Sequence, residues 1–183
     1  MDVYLPANRS ITATKVIVLI HGGGWNGGSK AEFDPYIYSL KKRVPDYAIF
    51  NINYRLVNSG NLFPTQEYDV KSAIDFISKK ASQYGINKDK IVLLGFSSGA
   101  HLALLQGYKY NNPKIKAVID FFGPTDMVDM YNNPMNPLVS IALQTIVGGT
   151  STSNSAMYTQ SSPINYVTGP APPFIILHGA WMI

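Results

Sequence analysis

A serine held between two closely spaced glycines, Gly95-Phe96-Ser97-Ser98-Gly99-Ala100, directly follows the apolar run Lys90-Ile-Val-Leu-Leu94. This is the pattern of a buried strand that turns sharply at a serine and enters a helix at once. Small neighbours make a strained serine backbone tolerable, and the turn lifts the hydroxyl clear of the sheet. There Ser97 can attack an ester carbonyl, provided a base takes its proton. A second motif, His21-Gly22-Gly23-Gly24-Trp25, follows another apolar run, Val16-Ile-Val-Leu-Ile20. Three glycines after a strand form a loop whose amides can converge on one point. Acyl transfer needs such donors, because its tetrahedral intermediate carries negative charge on the former carbonyl oxygen. Losing one donor costs about 3 kcal/mol of barrier. The predicted donors are the amides of Gly23, Gly24 and Ser98, the residue after the nucleophile. Either motif alone also fits a plain glycine-rich turn; both together, in this order, favour the chemistry.

A sheet must hold these motifs. Apolar runs predict strands near 16–20, 47–53, 90–95, 116–121 and 173–178, and periodicity predicts helices near 34–44, 66–84, 98–109 and 136–147. The alternation argues for an α/β fold, a mostly parallel sheet with helices on both faces. Within 66–84, Val70, Ala73, Ile74, Ile77 and Ala81 recur at helical spacing and form a core face. Asp69, near the start of that helix, is read as a structural charge favouring the helix dipole. Residues 123–172 differ in texture, running from Phe121-Phe-Gly-Pro-Thr-Asp126 through a Met-, Asn- and Ser-rich excursion to Pro170-Ala-Pro-Pro173. They are read either as a cap, with Met127, Met130 and Tyr131 offering apolar contacts to a substrate, or as a surface excursion. No repeat and no linker interrupts the chain, so residues 1–183 form one domain.

A chain of 183 residues with 46% hydrophobic content can bury a sizeable core. No apolar run approaches the length of a membrane span. The opening Met1-Asp-Val-Tyr-Leu-Pro6 has neither a basic region nor a long apolar stretch, so it does not read as a signal peptide, and the compartment stays open. The absence of cysteine excludes disulfides and thiolate metal sites. A net charge of +4 is modest, and Lys41-Lys42-Arg43 and Lys79-Lys80 read as solvated helix faces rather than a nucleic-acid stripe. No His, Asp or Glu grouping has metal-ligand spacing, so a metal mechanism has no support.

His21-Gly-Gly-Gly-Trp25, Asn53-Tyr-Arg-Leu56 and Gly95-Phe-Ser-Ser-Gly99-Ala-His101 together resemble the α/β-hydrolases of the esterase/lipase group. The likeness is to the branch of bacterial feruloyl and acetyl esterases, hormone-sensitive-lipase-like enzymes and kynurenine formamidases. Asp2-Val-Tyr-Leu-Pro6 also resembles the strand that precedes the oxyanion loop in that family. The resemblance implies a serine carboxylesterase acting on small esters through an acyl-enzyme on Ser97, without a cofactor. It implies that His21 braces the oxyanion loop and that Tyr54 and Arg55 are structural near the site. His101 lies four residues after Ser97 on the elbow helix, beneath the serine, where the family pattern has a structural residue. Trp25 is read as lining the substrate pocket or as packing. An arylformamidase-like amidase, and a non-catalytic ligand-binding relative, are the alternative readings.

A serine hydrolase of this type needs an acid and a histidine, in the chain order Ser, Asp or Glu, His. The family places its acid in His-Gly-x-x-Asp, whereas this chain reads His178-Gly179-Ala180-Trp181-Met182-Ile183. Met182 cannot orient an imidazole, and no histidine follows His178. The resemblance thus implies that the family's last strand, last helix and histidine loop are missing, as in a truncated product with Ala-Trp-Met-Ile as a foreign tail. A rearranged triad, with Asp126 as acid and His21, His101 or His178 as base, stays open beside this. A strand at 173–178 left at an open edge predicts self-association.

Overall fold

The computed structural model describes residues 1–110, 112–169 and 171–179. The acid position at Met182 and the tail from Ala180 lie outside the described residues. The strands are β1 (Asp2–Tyr4), β2 (Lys15–Ile20), β3 (Tyr47–Ile52), β4 (Ile91–Phe96), β5 (Ile115–Phe121) and β6 (Phe174–Leu177). The helices are α1 (Asp34–Arg43), α2 (Thr65–Lys79), α3 (Ala81–Tyr84), α4 (Ser98–Lys109), α5 (Met127–Asn132), α6 (Pro137–Val147) and α7 (Ser155–Gln160). One sheet holds the strands in the order β1-β3-β2-β4-β5-β6, parallel throughout except for β1, which pairs antiparallel with β3.

The central strands are apolar runs because both of their faces are covered. Val16, Val18, Ile20, Phe50, Ile52, Ile91 and Leu93 pack with Val70, Ile74 and Ile77 of α2 and Leu102 and Leu105 of α4. On the opposite face Ile17, Leu19, Ile49 and Leu94 meet Phe33 and Ile37. Among the described residues α1 and the 3-10 turn before it (Lys30–Phe33) cover that second face, and two hollows of about 320 and 510 Å³ open along it. The larger is walled by Phe33, Tyr36, Leu40, Phe96, Phe121 and Phe122.

The helix expected over 66–84 is two pieces. It breaks at Lys80, and α3 ends at Gly85, whose φ of 63° supplies the left-handed cap. The excursion contains three helices rather than one. Met127 is fully buried in the core, as are Tyr158 and most of Leu143, Ile146 and Val147. Met127 is therefore a packing residue, which corrects its expected place as a substrate contact. Among the described residues, no helix is long and apolar enough to cross a membrane.

Candidate active site

The register places the end of β4 between its neighbours, with Gly95 opposite Ile20 of β2 and Phe96 opposite Phe121 of β5. Ser97 then takes φ 51° and ψ −119°, a left-handed conformation that L side chains rarely adopt, and α4 begins at the next residue. Two contacts show why glycines flank it. A Cβ on Gly95 would lie 2.3 Å from the carbonyl carbon of Gly99, and one on Gly99 would lie 2.1 Å from the Ile20 oxygen. Strand and helix approach too closely there for any other residue. The Ser97 amide donates to Phe121 O at 2.9 Å, which ties the turn to β5. Ser97 is half-buried, and among the described residues no group hydrogen-bonds to its hydroxyl.

The glycine loop lies against this turn. A Cβ on Gly22 would stand 3.4 Å from Ser97 Cβ. Gly23, Gly24 and Trp25 follow with φ of 101°, 58° and 63°, and Gly27 N closes the turn on Gly23 O at 2.9 Å. The Gly22 amide is engaged, donating to Glu32 Oε2 at 2.6 Å. The amides of Gly23, Gly24 and Ser98 have no acceptor among the described residues. Glu32 was not singled out from the sequence. Ser29-Lys-Ala-Glu32 reads as a capping box, but the carboxylate reaches across to Gly22 instead.

Two buried side chains support the loop from below. His21 donates from Nδ1 to Gly22 O at 2.7 Å and stacks on Tyr54 at 4.3 Å between ring centroids. Burial holds its pKa below the ordinary histidine value, so the ring stays neutral. The Tyr54 hydroxyl lies 3.2 Å from His21 O, 3.3 Å from Gly22 O and 3.3 Å from Ser98 Oγ. Burial pushes its pKa up to about 12, so it keeps its proton. Trp25 is 4% exposed and packs in the main hydrophobic core.

His101 is wholly buried beneath the elbow. Its Nδ1 accepts from Trp25 Nε1 at 3.2 Å and its Nε2 donates to Ser161 O at 2.7 Å. Both nitrogens are occupied, so it cannot take a proton from Ser97. Asp126 caps α5, accepting from Val128 N at 2.9 Å and Asp129 N at 3.0 Å. Asp69 clamps Arg55 with bonds of 2.7 and 2.9 Å, so its main partner is that guanidinium rather than the helix dipole. Asp120 is buried, accepts from Gly123 N at 2.7 Å, and leaves one oxygen without a partner among the described residues. Burial raises its pKa.

His178 alone of the three histidines is exposed. Leu177 O accepts from Phe122 N, and Phe121 O from Ser97 N, so His178 lies two strands along the sheet from Ser97. The two backbones are thus two strand spacings, or ~10 Å, apart, and no hydrogen bond joins His178 to Ser97 among the described residues. The described residues therefore bring together Ser97, Ser98, Gly23, Gly24, His21 and Trp25, without an acid–base pair. Among them no group of three His, Asp or Glu is placed to hold a metal ion.

Known proteins similar to this chain include esterases. A probable carboxylic ester hydrolase, LipM of Mycobacterium tuberculosis, is 28% identical over 98% of this chain, which covers 44% of that protein. A bifunctional GH43-CE protein of Bacteroides eggerthii superposes with a TM-score of 0.83 at 32% identity, over 98% of this chain and 26% of its own. A truncated form of carbohydrate esterase from gut microbiota gives a TM-score of 0.83 at 28% identity, over 97% of this chain and 70% of its own. The chain spans about half the length of the curated relatives it matches, 44% and 47% for the mycobacterial esterases LipM and LipC. Residues 1–181 match the BD-FAE family, and the chain belongs to that family of α/β-hydrolase esterases.

Proposed function

We propose that this chain carries the nucleophile and the oxyanion donors of a serine carboxylesterase. The observation that carries the reading is the left-handed Ser97 at a strand end, beside unengaged amides of Gly23, Gly24 and Ser98. Ser97 Oγ bonds to the carbonyl carbon of a small ester as its proton passes to a base. The three amides hold the resulting oxyanion, and collapse expels the alcohol and leaves an acyl-enzyme, which water cleaves to the acid. Among the described residues no histidine or carboxylate hydrogen-bonds to Ser97 Oγ to serve as that base. An oxyanion site without a working base retains roughly 10³-fold catalysis over water. Slow turnover is therefore the expected behaviour of these residues by themselves. The likeness to a carbohydrate esterase makes an acylated carbohydrate the first substrate to try. Residues 1–183 act as one domain, with 123–172 as a cap region packed on the α4 side.

Labelling with a fluorophosphonate, whose adduct imitates the tetrahedral intermediate, tests this reading. A single adduct on Ser97 by mass spectrometry, absent in Ser97→Ala, is the expected result. A folded chain in which Ser97 takes label no faster than its other serines over a long incubation overturns it and leaves a hydrolase fold that only binds ligand. Turnover of an aryl formamide in preference to p-nitrophenyl acetate would move the assignment to an amidase.

A further inference from the structure

His101 joins three segments distant in sequence. Its backbone belongs to the nucleophile helix, Nδ1 accepts from the indole of Trp25 at the end of the glycine loop, and Nε2 donates to Ser161 O, just past α7. The Trp25 and His101 rings meet edge to face at 5.1 Å, Phe63 packs 5.8 Å away, and His101 has no exposed surface. Trp25 itself sits at φ 63°, a conformation that costs a non-glycine residue of order 1 kcal/mol or more unless its surroundings hold it. His101 is the side chain that hydrogen-bonds to its indole. One backbone bond, from Val57 N to Trp25 O at 3.0 Å, fixes the far side of the same residue.

We propose that His101 is the positioning residue of the oxyanion loop: its Nδ1 lone pair anchors Trp25, and thereby the Gly23–Gly24 turn, against the helix that carries Ser97. This rests on reading those glycine amides as oxyanion donors. The bond to Ser161 fixes the tautomer, because a proton on Nε2 leaves Nδ1 free to accept. Burial also keeps the ring neutral, lowering its pKa to about 4, with Lys109 acting in the same direction.

The two ring nitrogens can be separated by substitution. Asn presents an amide oxygen where Nδ1 was, so His101→Asn keeps the acceptor for Trp25 and loses the bond to Ser161. Gln reaches the position of Nε2, so His101→Gln keeps the bond to Ser161 and loses the acceptor. In a Trp181→Phe background, ¹⁵N spectra of the full chain report the Trp25 indole and the Gly23 and Gly24 amides directly. The expected result is near-native resonances and slow indole exchange in His101→Asn, with displaced glycine amides and fast indole exchange in His101→Gln. Glycine amides unmoved in both variants, moved equally in both, or moved only in His101→Asn, would each overturn the proposal. Should either variant fail to fold, Trp25→Phe must displace the same two amides, and native positions there overturn the proposal equally. Turnover adds a second readout: His101→Gln should lower kcat about tenfold to a hundredfold with KM little changed. The spectra need no turnover, so an inert wild-type chain with native glycine amides would count against the esterase reading alone.

Discussion

β4 and β6 run parallel in one sheet, yet they occupy opposite conditions. Ile91 and Leu93 of β4 have no exposed surface, whereas all four residues of β6 are 43–58% exposed. At the end of β4 the chain can hold Ser97 in a strained conformation, because β2, β5 and α4 constrain it from three sides. At the end of β6, one neighbouring strand supports His178 among the described residues. The difference teaches where catalytic precision comes from. The buried half fixes Ser97 and the glycine loop through backbone contacts on several sides, and the edge that carries His178 is not so constrained.

The largest effect should come from filling the contact on which the buried half depends. Gly99→Ala puts a methyl 2.1 Å from Ile20 O and 2.3 Å from His21 O, both backbone atoms that cannot step aside cheaply. A loss of more than about 4 kcal/mol in urea unfolding is expected. Gly169→Ala, where an added Cβ meets nothing within 4 Å, should change stability by less than about 0.5 kcal/mol. Equal effects at the two positions would remove the distinction between the halves.

Acid should come next, because it attacks the same buried half through His101. The folded-state pKa is lowered to about 4 against an unfolded value near 6.5. Between these values the unfolded chain binds more protons, so stability is complete above about pH 6.5 and falls as pH drops toward 4. The loss is about 3 kcal/mol and levels off below that pH. His21, also lowered by burial, adds to it in the same direction. Urea unfolding of wild type and His101→Asn across pH 4 to 7 checks this. An unchanged slope in the variant would show that His101 is not the group responsible.

The same contrast explains what could be read from the sequence. The elbow was legible because its glycines answer to backbone contacts inside one short segment, and the strands because both-face burial demands unbroken apolar runs. The Gly23, Gly24 and Ser98 amides could be anticipated for the same reason. Glu32 and His101 were not legible in their actual roles, since their partners Gly22, Trp25 and Ser161 arrive from other segments. The short helices α5 and α7, six residues each, owe their existence to Met127 and Tyr158 packing in the core rather than to local propensity. Local pattern carried the shape of the Ser97 turn, and tertiary contacts carried its support.

The smallest effect on stability, with a distinct effect on assembly, is expected at the exposed edge. Ile175 is 58% exposed and pairs with Ile119 of β5, which packs against the cluster of Phe33 and Ile37. Among the described residues no strand pairs with the outer side of β6, where Phe174, Ile176 and Leu177 carry no charge. Such an edge pairs readily with another chain. Wild type should therefore show concentration-dependent association in sedimentation velocity. Ile175→Lys should shift it toward monomer while changing unfolding by less than about 0.5 kcal/mol, since the lysine head can remain in water. A wild-type monomer at all concentrations would mean that the edge is covered in solution. A large destabilisation in Ile175→Lys would mean that β6 is held as firmly as β4, and the contrast between the two halves would fail.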